Sequence, residues 1–515
     1  MGAGVAGLRA AVELAQHGDV LVVTKESLSE SNTHYAQGGI AVATEGEADV
    51  SLHLEDTVNA GDGLVYRPAA EVLVSQGPLR VAELIEWGAA FDKEAGRLLR
   101  TREGAHSLPR ILHANGDATG AEISRSLVAF AHAHKRIQFA EWTMVTSLVV
   151  VDGRVAGADL ASAGPLAVDP VPHRIGARSV LIASGGAGQV YSDTTNPGVA
   201  TGDGIALALE AGAALADMEF YQFHPTALAL PGVPRFLLSE ALRGEGAYLR
   251  NHARERFMPG YHELAELAPR DVVARAIHRE IQTSKAAVPM VYLDVTHLDA
   301  EKLKLRFPRI YQTCKQYGLD ITRDLIPIRP AAHYAMGGVR TDLDGRASLP
   351  GLYAAGEAAC TGVHGGNRLA SNSLLEGLVF GARAAQGMAA ENAPAQLDAA
   401  RTPAVKSTFC GEGDEEALRR ETQQLMEDNV GIIRDADRLS EAVRRLREIL
   451  AALPAPSNRK RAEARNIAES GLAIACSALA RCESRGGHYR SDYPAKDDAN
   501  FRKHSVMQGG TVRFE

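Results

Sequence analysis

The sequence is poor in cysteine and aromatic residues and contains no long apolar run. Its five cysteines, at positions 314, 360, 410, 476 and 482, form no CxxC pair, which favours reduced thiols over a disulfide framework or a zinc site. No apolar run reaches the length of a membrane span, and the N-terminus lacks the basic flank and apolar stretch of a secretory signal. These absences predict a cytoplasmic protein with no membrane anchor and no metal site.

The net charge of the chain is negative, whereas proteins that bind nucleic acid are usually positive. The formal net charge is −8, which argues against nucleic acid or an anionic membrane surface as a partner of the chain as a whole. The 515 residues suffice for two or three domains with large cores. Fifty glycines, gathered in clusters, indicate tight turns and close approaches to a ligand.

The first glycine cluster has the spacing of a dinucleotide-binding loop. The chain opens MGAGVAGLRAAVELAQHGDVLVVTK, with Gly2, Gly4 and Gly7 in GxGxxG register before a helical segment and a short apolar strand. The helix N-terminus would offer free N–H groups to a pyrophosphate. Lys25 stands where an acidic ribose-binding residue is expected, which weakens a plain NAD interpretation. A glycine-rich turn without a ligand remains the alternative at this point.

Two further apolar runs predict more strands of the same parallel sheet. SVLIASGGAG (179–188) and PGLYAAGEAA (350–359) each run into small residues, and they lie far apart in the sequence. This pattern predicts an α/β fold interrupted by an insertion. The C-terminal part is rich in Arg, Glu and Leu, and Leu439, Val443, Leu446 and Leu450 keep a helical stripe. A separate helical domain is therefore expected there.

Nine segments, in order, resemble the flavoproteins of the fumarate reductase/succinate dehydrogenase family. They are SESNTHYAQGGIAVA (29–43), TREGAHSLPRILHANGDATG (101–120), IASGGAGQVYSDTTNPGVATGDGIALALEAGA (182–213), EFYQFHPTAL (219–228), LLSEALRGEGAYL (237–249), APRDVVARAI (268–277), PAAHYAMGGVRTD (330–342), AAGEAACTGVHGGNRLASNSLLEGLVFG (354–381) and ESRGGHYRSDYP (483–494). The resemblance covers essentially the whole chain.

The resemblance implies three domains. They are an α/β, Rossmann-like FAD-binding domain (1–220 and 334–400), an inserted α+β capping domain (221–333) and a C-terminal helical domain (410–515). Members of the family have a strand before the glycine loop, whereas only Met1 precedes Gly2 here. The first strand is therefore expected to be missing, and a version extended upstream is expected to bind FAD more tightly.

The resemblance also implies contacts with FAD along much of the chain. The residues expected near its pyrophosphate and adenosine are Gly4, Ala6, Gly7 and Lys25, and those expected along its flavin are Asn32, Thr33, Tyr35, Gln37, Gly38, Gly39, Ser373 and Leu374. Asp203 and Glu357 would accept hydrogen bonds from ribose or ribityl hydroxyls, with surface turn carboxylates as the alternative.

Asn32 bears on how the cofactor is held. Succinate dehydrogenase flavoproteins carry at this position a histidine that bonds covalently to FAD. Asn32 cannot form that bond, and His34 is out of register by two residues. The resemblance therefore implies non-covalent FAD, with a lower flavin potential that suits reoxidation by oxygen or fumarate rather than by a quinone.

The implied substrates are four-carbon dicarboxylates, which require fixed positive charge or hydrogen-bond donors. The residues expected to bind them are Gln222, His224, Ser239, His333 and Arg368, with Gln222 also a candidate flavin contact. Arg270 would move a proton at the substrate carbon with Glu240 as its relay, although a purely electrostatic role for Arg270 is the alternative.

The resemblance implies that Glu103, in TREGAHS, orients the substrate and would separate aspartate from succinate, because only aspartate has an ammonium group that needs an anionic partner. Succinate dehydrogenases have a neutral segment there; an exposed loop glutamate is the alternative. Glu103 and Asn32 favour the branch of the family that oxidises L-aspartate to iminoaspartate, with O2 (giving H2O2) or fumarate as acceptor. Iminoaspartate feeds quinolinate and NAD synthesis, which makes quinolinate synthase a candidate partner.

The main rival interpretation is a succinate dehydrogenase or fumarate reductase subunit, which would need an iron–sulfur partner and a membrane anchor. A non-catalytic flavin-binding protein is the other alternative. The joint presence of His224, Glu240, Arg270, His333 and Arg368 argues against it.

Overall fold

The computed structural model describes residues 1–165, 171–286, 288–391 and 411–515. The α-helices of these residues are α1 Val5–Leu14, α2 Asn32–Tyr35, α3 Glu47–Ala60, α4 Arg67–Glu86, α5 Thr119–His132, α6 Asp203–Glu210, α7 Ala241–Gly244, α8 Arg270–Thr283, α9 Ala300–Arg306, α10 Pro308–Gln316, α11 Asn372–Ala390, α12 Glu415–Asn429, α13 Ala436–Ala452, α14 Arg459–Ala480 and α15 Asp498–Phe501. The expected boundaries at 400 and 410, and Cys410, lie outside the described residues.

The strands are β1 Val20–Val23, β2 Ile40–Ala41, β3 Lys93–Glu94, β4 Arg97–Leu98, β5 Arg100–Thr101, β6 Ile111–Leu112, β7 Ile137–Ala140, β8 Thr143–Val151, β9 Arg154–Ser162, β10 His173–Gly176, β11 Val180–Ile182, β12 Leu215–Ala216, β13 Tyr221–Leu228, β14 Tyr248–Arg250, β15 Val291–Asp294, β16 Ile326–Ala335, β17 Gly338–Arg340, β18 Leu352–Ala354, β19 Ala359–Cys360, β20 Ser505–Gln508 and β21 Thr511–Phe514.

The glycine loop lies between two pairs of parallel strands. β1 pairs with β7, and β11 pairs with β18. The Gly2 N–H donates to the Val23 carbonyl at 2.8 Å, and the Ala183 N–H donates to the Met1 carbonyl at 2.8 Å, so Met1 and Gly2 join the two pairs. The three strands predicted from apolar runs are present, and in β1 the side chain of Leu21 is 38% exposed.

Helix α1 packs closely against α11 because two glycines of α11 leave room for it. A Cβ atom on Gly377 would lie 2.5 Å from a methyl of Val5, and one on Gly381 would lie 2.6 Å from the Ala6 carbonyl oxygen. The N-terminal end of α1 carries the glycine loop, so this packing fixes where the loop lies.

Residues 221–333 contain an antiparallel sheet in the strand order β13-β16-β15-β14. β13 and β16, near the two ends of the expected insertion, pair with each other. Helices α8, α9 and α10 contribute Ile277, Leu303 and Ile310 to a core that also includes Leu293 and Ile328 of the sheet.

The C-terminal region is not purely helical, which corrects the expectation. Helices α12, α13 and α14 pack together as predicted, with Leu439, Val443 and Leu446 buried. The hairpin β20–β21 follows them, and β20 pairs antiparallel with β12. The chain therefore ends as an edge of the five-stranded sheet β19-β17-β12-β20-β21. Among the described helices, none has the length and apolar character needed to cross a membrane.

Candidate active site

A cavity of about 1720 Å³, counted with its opening to solvent, begins at the glycine loop. We call it the glycine-loop cavity. The predicted site residues that line it are Gly4, Ala6, Lys25, Asn32, Thr33, Tyr35, Gln37, Gly38, Gly39, Glu103, Asp203, His224, Ser239, Glu240, Arg270, His333, Glu357, Arg368, Ser373 and Leu374. Gly7 and Gln222 do not line it.

The glycine loop adopts the geometry that its sequence predicts. Gly2 has a φ of +102°, which favours glycine. A Cβ on Gly7 would lie 2.1 Å from the Gly2 carbonyl oxygen, so Gly7 allows the close packing of α1 against the loop. The Val5 N–H at the start of α1 donates to the Thr33 hydroxyl at 3.0 Å, and a Cβ on Gly4 would lie 3.2 Å from the same oxygen.

Lys25 lies in a cluster of charges at one end of the cavity. Its Nζ is 2.8 Å from an oxygen of Asp203 and 2.9 Å from Glu463 of α14. Asp203 also accepts from Thr201 at 2.6 Å and from Asn466 at 2.9 Å. Burial raises the pKa of Asp203, but Lys25 and these hydrogen bonds outweigh burial and hold the pKa below its usual value. Asp203 is therefore a carboxylate at neutral pH.

The next wall of the cavity contains polar atoms that lack partners. Asn32 Nδ2 donates to Glu357 at 3.0 Å, and Glu357 also accepts from the Ala335 N–H at 3.1 Å. Burial raises the pKa of Glu357. The Asn32 Oδ1 and Gln37 Oε1 atoms are buried without a hydrogen-bond partner in the described structure. Buried polar atoms are rarely left unpaired, so this wall is suited to a polar ligand.

Two arginines meet at the other end of the cavity through Gln222. The Gln222 Oε1 atom accepts from Arg270 Nη1 at 3.0 Å and from Arg368 Nη2 at 2.9 Å. Arg270, the first residue of α8, also donates through Nε to Glu240 at 2.5 Å. Arg368 Nη1 donates to the Ser373 hydroxyl at 3.1 Å, and its Nε atom is buried without a partner. Gln222 thus binds both guanidiniums but does not itself line the glycine-loop cavity.

The charges of this pair make the site suited to anions. Burial, followed by the charge of Arg270, lowers the pKa of Arg368 to about 10, so the Arg368 guanidinium stays protonated at neutral pH. Burial raises the pKa of Glu240, but Arg270 and Arg243 outweigh it and lower the pKa below its usual value. The buried carboxyl groups of Glu240 and Glu103 therefore face three buried arginines, Arg243, Arg270 and Arg368, which leaves positive charge for a ligand.

Two histidines complete the anion site as neutral donors. Burial lowers the pKa of His224 and of His333 well below the usual value. The Thr226 N–H donates to His224 Nδ1 at 3.2 Å, so the proton of this ring is on Nε2. His333 keeps some exposure to the cavity, and its Nδ1 atom lies 2.9 Å from the Thr195 hydroxyl. The two rings are 5.2 Å apart.

Glu103 is buried in the cavity wall, which excludes the alternative of an exposed loop glutamate. Its carboxylate accepts from the Ser371 hydroxyl at 2.6 Å. Burial and the nearby Glu240 raise the pKa of Glu103, whereas Ser371, Arg270 and Arg368 act in the opposite direction. The site thus combines a carboxylate and two guanidiniums, the charges that complement an amino dicarboxylate.

A second cavity, which we call the outer cavity, has about 1120 Å³ of empty space counted with its opening. It shares Glu240, Arg270 and Arg368 with the glycine-loop cavity and reaches the exposed residues Ala105 and Pro494. The segment ESRGGHYRSDYP (483–494) lines part of it. The Glu240–Arg270 pair therefore lies between the two cavities.

Sequence reasoning missed several residues of the site. The missed wall residues include Thr195, Asn196, Tyr334 and Ser371, all of which lie in segments that carried the resemblance. Their positions in those segments could have identified them as candidate site residues. Glu463 and Asn466, which bind Lys25 and Asp203, lie in the C-terminal part that was predicted only as a separate helical domain, so no local signal identified them.

Comparisons with known proteins identify the family of the chain. The FAD binding domain family matches residues 1–374, and the fumarate reductase flavoprotein C-terminal family matches residues 419–515. L-aspartate oxidase of Streptomyces coelicolor is 45% identical over 99% of this chain and 90% of its own length. L-aspartate oxidase of Synechocystis is 40% identical over 99% of this chain and 97% of its own length.

Solved structures resemble the chain over its full length. A variant of E. coli quinol fumarate reductase superposes with a TM-score of 0.90 at 32% identity, covering 100% of this chain and 95% of that one. A quinol-fumarate reductase with menaquinol molecules superposes with a TM-score of 0.92 at 32% identity, covering 100% and 96%.

Proposed function

We infer that this chain, which belongs to the L-aspartate oxidase branch of the fumarate reductase/succinate dehydrogenase flavoprotein family, oxidises L-aspartate to iminoaspartate with FAD as cofactor. The acceptor is O2, which yields H2O2, or fumarate. The observation that carries this function is the buried carboxylate of Glu103 on the same cavity as the guanidiniums of Arg270 and Arg368. A carboxylate there suits an ammonium group, which succinate and fumarate lack.

The glycine-loop end of the cavity and the wall next to it fit FAD. The glycine loop and the N-terminus of α1 suit a pyrophosphate. The buried Asn32 Oδ1 and Gln37 Oε1 atoms can accept hydrogen bonds from the cofactor. Bound FAD would supply the acceptor for a hydride from the substrate carbon. We propose that Lys25 and Asp203 hold the adenosine side, and that Glu357, Ser373 and Leu374 lie toward the flavin.

We propose that FAD is held non-covalently, because Asn32 has no nucleophilic nitrogen to offer it. Acid precipitation tests this directly, since a non-covalent flavin stays in the supernatant. Yellow colour that remained with the protein pellet would refute non-covalent binding.

Substrate binding follows from the charges of the site. We propose that Arg270 and Arg368 bind the two carboxylates, because planar guanidiniums form paired hydrogen bonds with them. His224 donates from Nε2, His333 and Ser239 supply further polar contacts, and Glu103 accepts from the ammonium group. Gln222 keeps the two guanidiniums in place through its single shared oxygen.

In aspartate oxidation a hydride leaves the substrate carbon and a proton leaves its ammonium group, whereas in fumarate reduction a proton is added to the carbon. We propose that Arg270 and Glu240 move that proton. A guanidinium gives up a proton only if another group replaces it at once, and Glu240 is bonded to Arg270 Nε at 2.5 Å. Glu240 and Arg270 also line the outer cavity, which gives a proton on this pair a path toward solvent.

The rival function, a succinate dehydrogenase or fumarate reductase subunit, is not favoured. The relatives that are 40–45% identical over nearly the whole chain carry the name L-aspartate oxidase. Succinate and fumarate also have no ammonium group that could pair with the buried Glu103 carboxylate.

Three finer assignments accompany the function. We propose the domain division 1–220 with 334–400, 221–333 and 410–515, supported by the separate core of the inserted residues. We propose a cytoplasmic location, supported by the free thiols of Cys314, Cys360, Cys476 and Cys482. The product would pass to quinolinate synthase in the synthesis of NAD.

Peroxide release is the experiment that tests the function. The FAD-loaded protein is mixed with L-aspartate, D-aspartate or succinate, and H2O2 is measured. L-Aspartate alone should give a signal. The function is wrong if the FAD-loaded protein releases no peroxide with L-aspartate.

A further inference from the structure

Glu103 receives its side-chain hydrogen bond from a residue in an unusual conformation. Ser371 donates to the Glu103 carboxylate at 2.6 Å, and both residues are buried in the wall of the glycine-loop cavity. Ser371 has a φ of +62°, in the left-handed region that residues other than glycine rarely adopt. Such a conformation persists only where the surrounding structure requires it, and it occurs often at functional sites.

The surroundings of Ser371 hold it in this conformation from both sides. Its carbonyl accepts from the Ala41 N–H at 3.0 Å. The next residue, Asn372, begins α11, and its side chain bonds the buried His53 ring at 2.8 Å and the Thr57 hydroxyl at 3.0 Å. These contacts hold the backbone at Ser371, and the hydroxyl donates from there to Glu103.

Glu103 needs such a donor because of its electrostatic environment. Burial and the neighbouring Glu240 disfavour its charged form, and the cations near it are Arg243, Arg270 and Arg368. Arg270 and Glu240 are bonded to each other, and Arg368 is bonded to Gln222 and Ser373. Among the described residues, Ser371 supplies the one hydrogen bond to this carboxylate that is available without a substrate.

We propose that Ser371 is a positioning residue that sets the preference for amino dicarboxylates over dicarboxylates without an amino group, by orienting Glu103 and keeping it ionised. The proposal rests on the proposed function, in which Glu103 binds the substrate ammonium group. It adds a residue that acts through Glu103 and not on the substrate.

The test uses two variants of the FAD-loaded full chain. Ser371→Ala removes the hydroxyl, and Ser371→Gly removes it while relieving the left-handed backbone. Both should raise the KM for L-aspartate by about tenfold or more at pH 7, the size expected for a lost hydrogen bond to a charged group. The KM for fumarate, measured as its reduction by a reduced dye, should stay within about twofold, since fumarate makes no use of Glu103.

Two further readouts separate this role from a merely structural one. The KM for L-aspartate in Ser371→Ala should fall toward the wild-type value at high pH, because Glu103 then ionises without help. In a Glu103→Gln background, Ser371→Ala should have little further effect. Equal losses for aspartate and fumarate, or additive losses in the double variant, would overturn the proposal. Absence of aspartate oxidation in the wild type would instead refute the proposed function.

Discussion

The environment of Glu103 predicts how aspartate oxidation depends on pH. Burial raises the pKa of this carboxyl, so it becomes protonated at a higher pH than a free glutamic acid. Once neutral, it no longer attracts an ammonium group. We therefore expect the KM for L-aspartate to rise as the pH falls through this raised pKa, while the inhibition constant of succinate does not follow the same curve. Parallel curves for the two ligands would contradict the assignment.

Arg270 should be indispensable for turnover and dispensable for cofactor binding. Arg270→Leu removes the group bonded to Glu240 and Gln222, and we expect aspartate oxidation to fall by at least about 10³-fold. The protein should still purify with bound FAD. Arg279→Leu, on the exposed face of the same helix, is the matched control and should retain activity. A large loss of FAD in Arg270→Leu would mean that the substitution disturbs the fold instead.

The sequence predicted which residues line the site better than it predicted what each of them does there. Arg270, Arg368 and Glu103 stood in recognisable segments and line the cavity as expected. The role of Gln222 could not be predicted, because its oxygen is shared by two arginines that are distant in sequence. The same limit applies to Glu463, whose partner Lys25 is more than four hundred positions away along the chain.

At the scale of elements, the contact of α1 with α11 can be tested through Gly381. A Cβ at this position would lie 2.6 Å from the Ala6 carbonyl oxygen, and backbone cannot move aside as a side-chain end can. Gly381→Ala should therefore destabilise the protein by roughly 1–3 kcal/mol, despite the better helix propensity of alanine. Because α1 carries the glycine loop, we also expect weaker FAD binding, measured by titration of the apoprotein.

The control for this substitution is Gly260→Ala. Position 260 has open space around a new Cβ and no left-handed φ, so the substitution should leave the melting temperature and FAD affinity nearly unchanged. If Gly381→Ala behaved like Gly260→Ala, close packing of α1 on α11 would not be what fixes the loop.

Elements with strong local signals could be predicted, and those defined by distant pairing could not. The stripe of Leu439, Val443, Leu446 and Leu450 predicted a helix, and α13 spans Ala436–Ala452. The hairpin β20–β21 escaped prediction because its partner β12 has only two paired residues, Leu215 and Ala216. Which strand pairs with so short a strand as β12 depends on the whole fold and not on local periodicity.

At the scale of the whole molecule, a buried ionic network fastens the C-terminal region to the rest of the chain. Arg481 Nε lies 2.6 Å from Glu219, and Arg481 Nη1 lies 2.9 Å from Glu483; all three side chains are fully buried. The Ser505 hydroxyl donates to Glu219 at 2.6 Å, which brings β20 into the same network. The C-terminal region should therefore unfold together with the cofactor-binding part and not before it.

Removing the cation from this network should be costly. Arg481→Met leaves the carboxylates of Glu219 and Glu483 buried without their shared partner, and we expect a loss of about 3–5 kcal/mol in the free energy of unfolding. Arg444→Met is the control, because the Arg444–Glu441 pair is exposed, and its loss should cost below about 1 kcal/mol.

The pH dependence of the Arg481→Met defect distinguishes lost charge pairing from lost packing. Burial raises the pKa of Glu219 and the charge of Arg481 lowers it, so the variant should raise this pKa further. A raised folded-state pKa favours the protonated carboxyl in the folded protein, and that stabilisation disappears as the pH rises through the raised pKa. The variant should therefore lose more stability, relative to the wild type, at pH 8 than at pH 5.5. A defect of equal size at both pH values would assign it to packing of the Arg481 side chain.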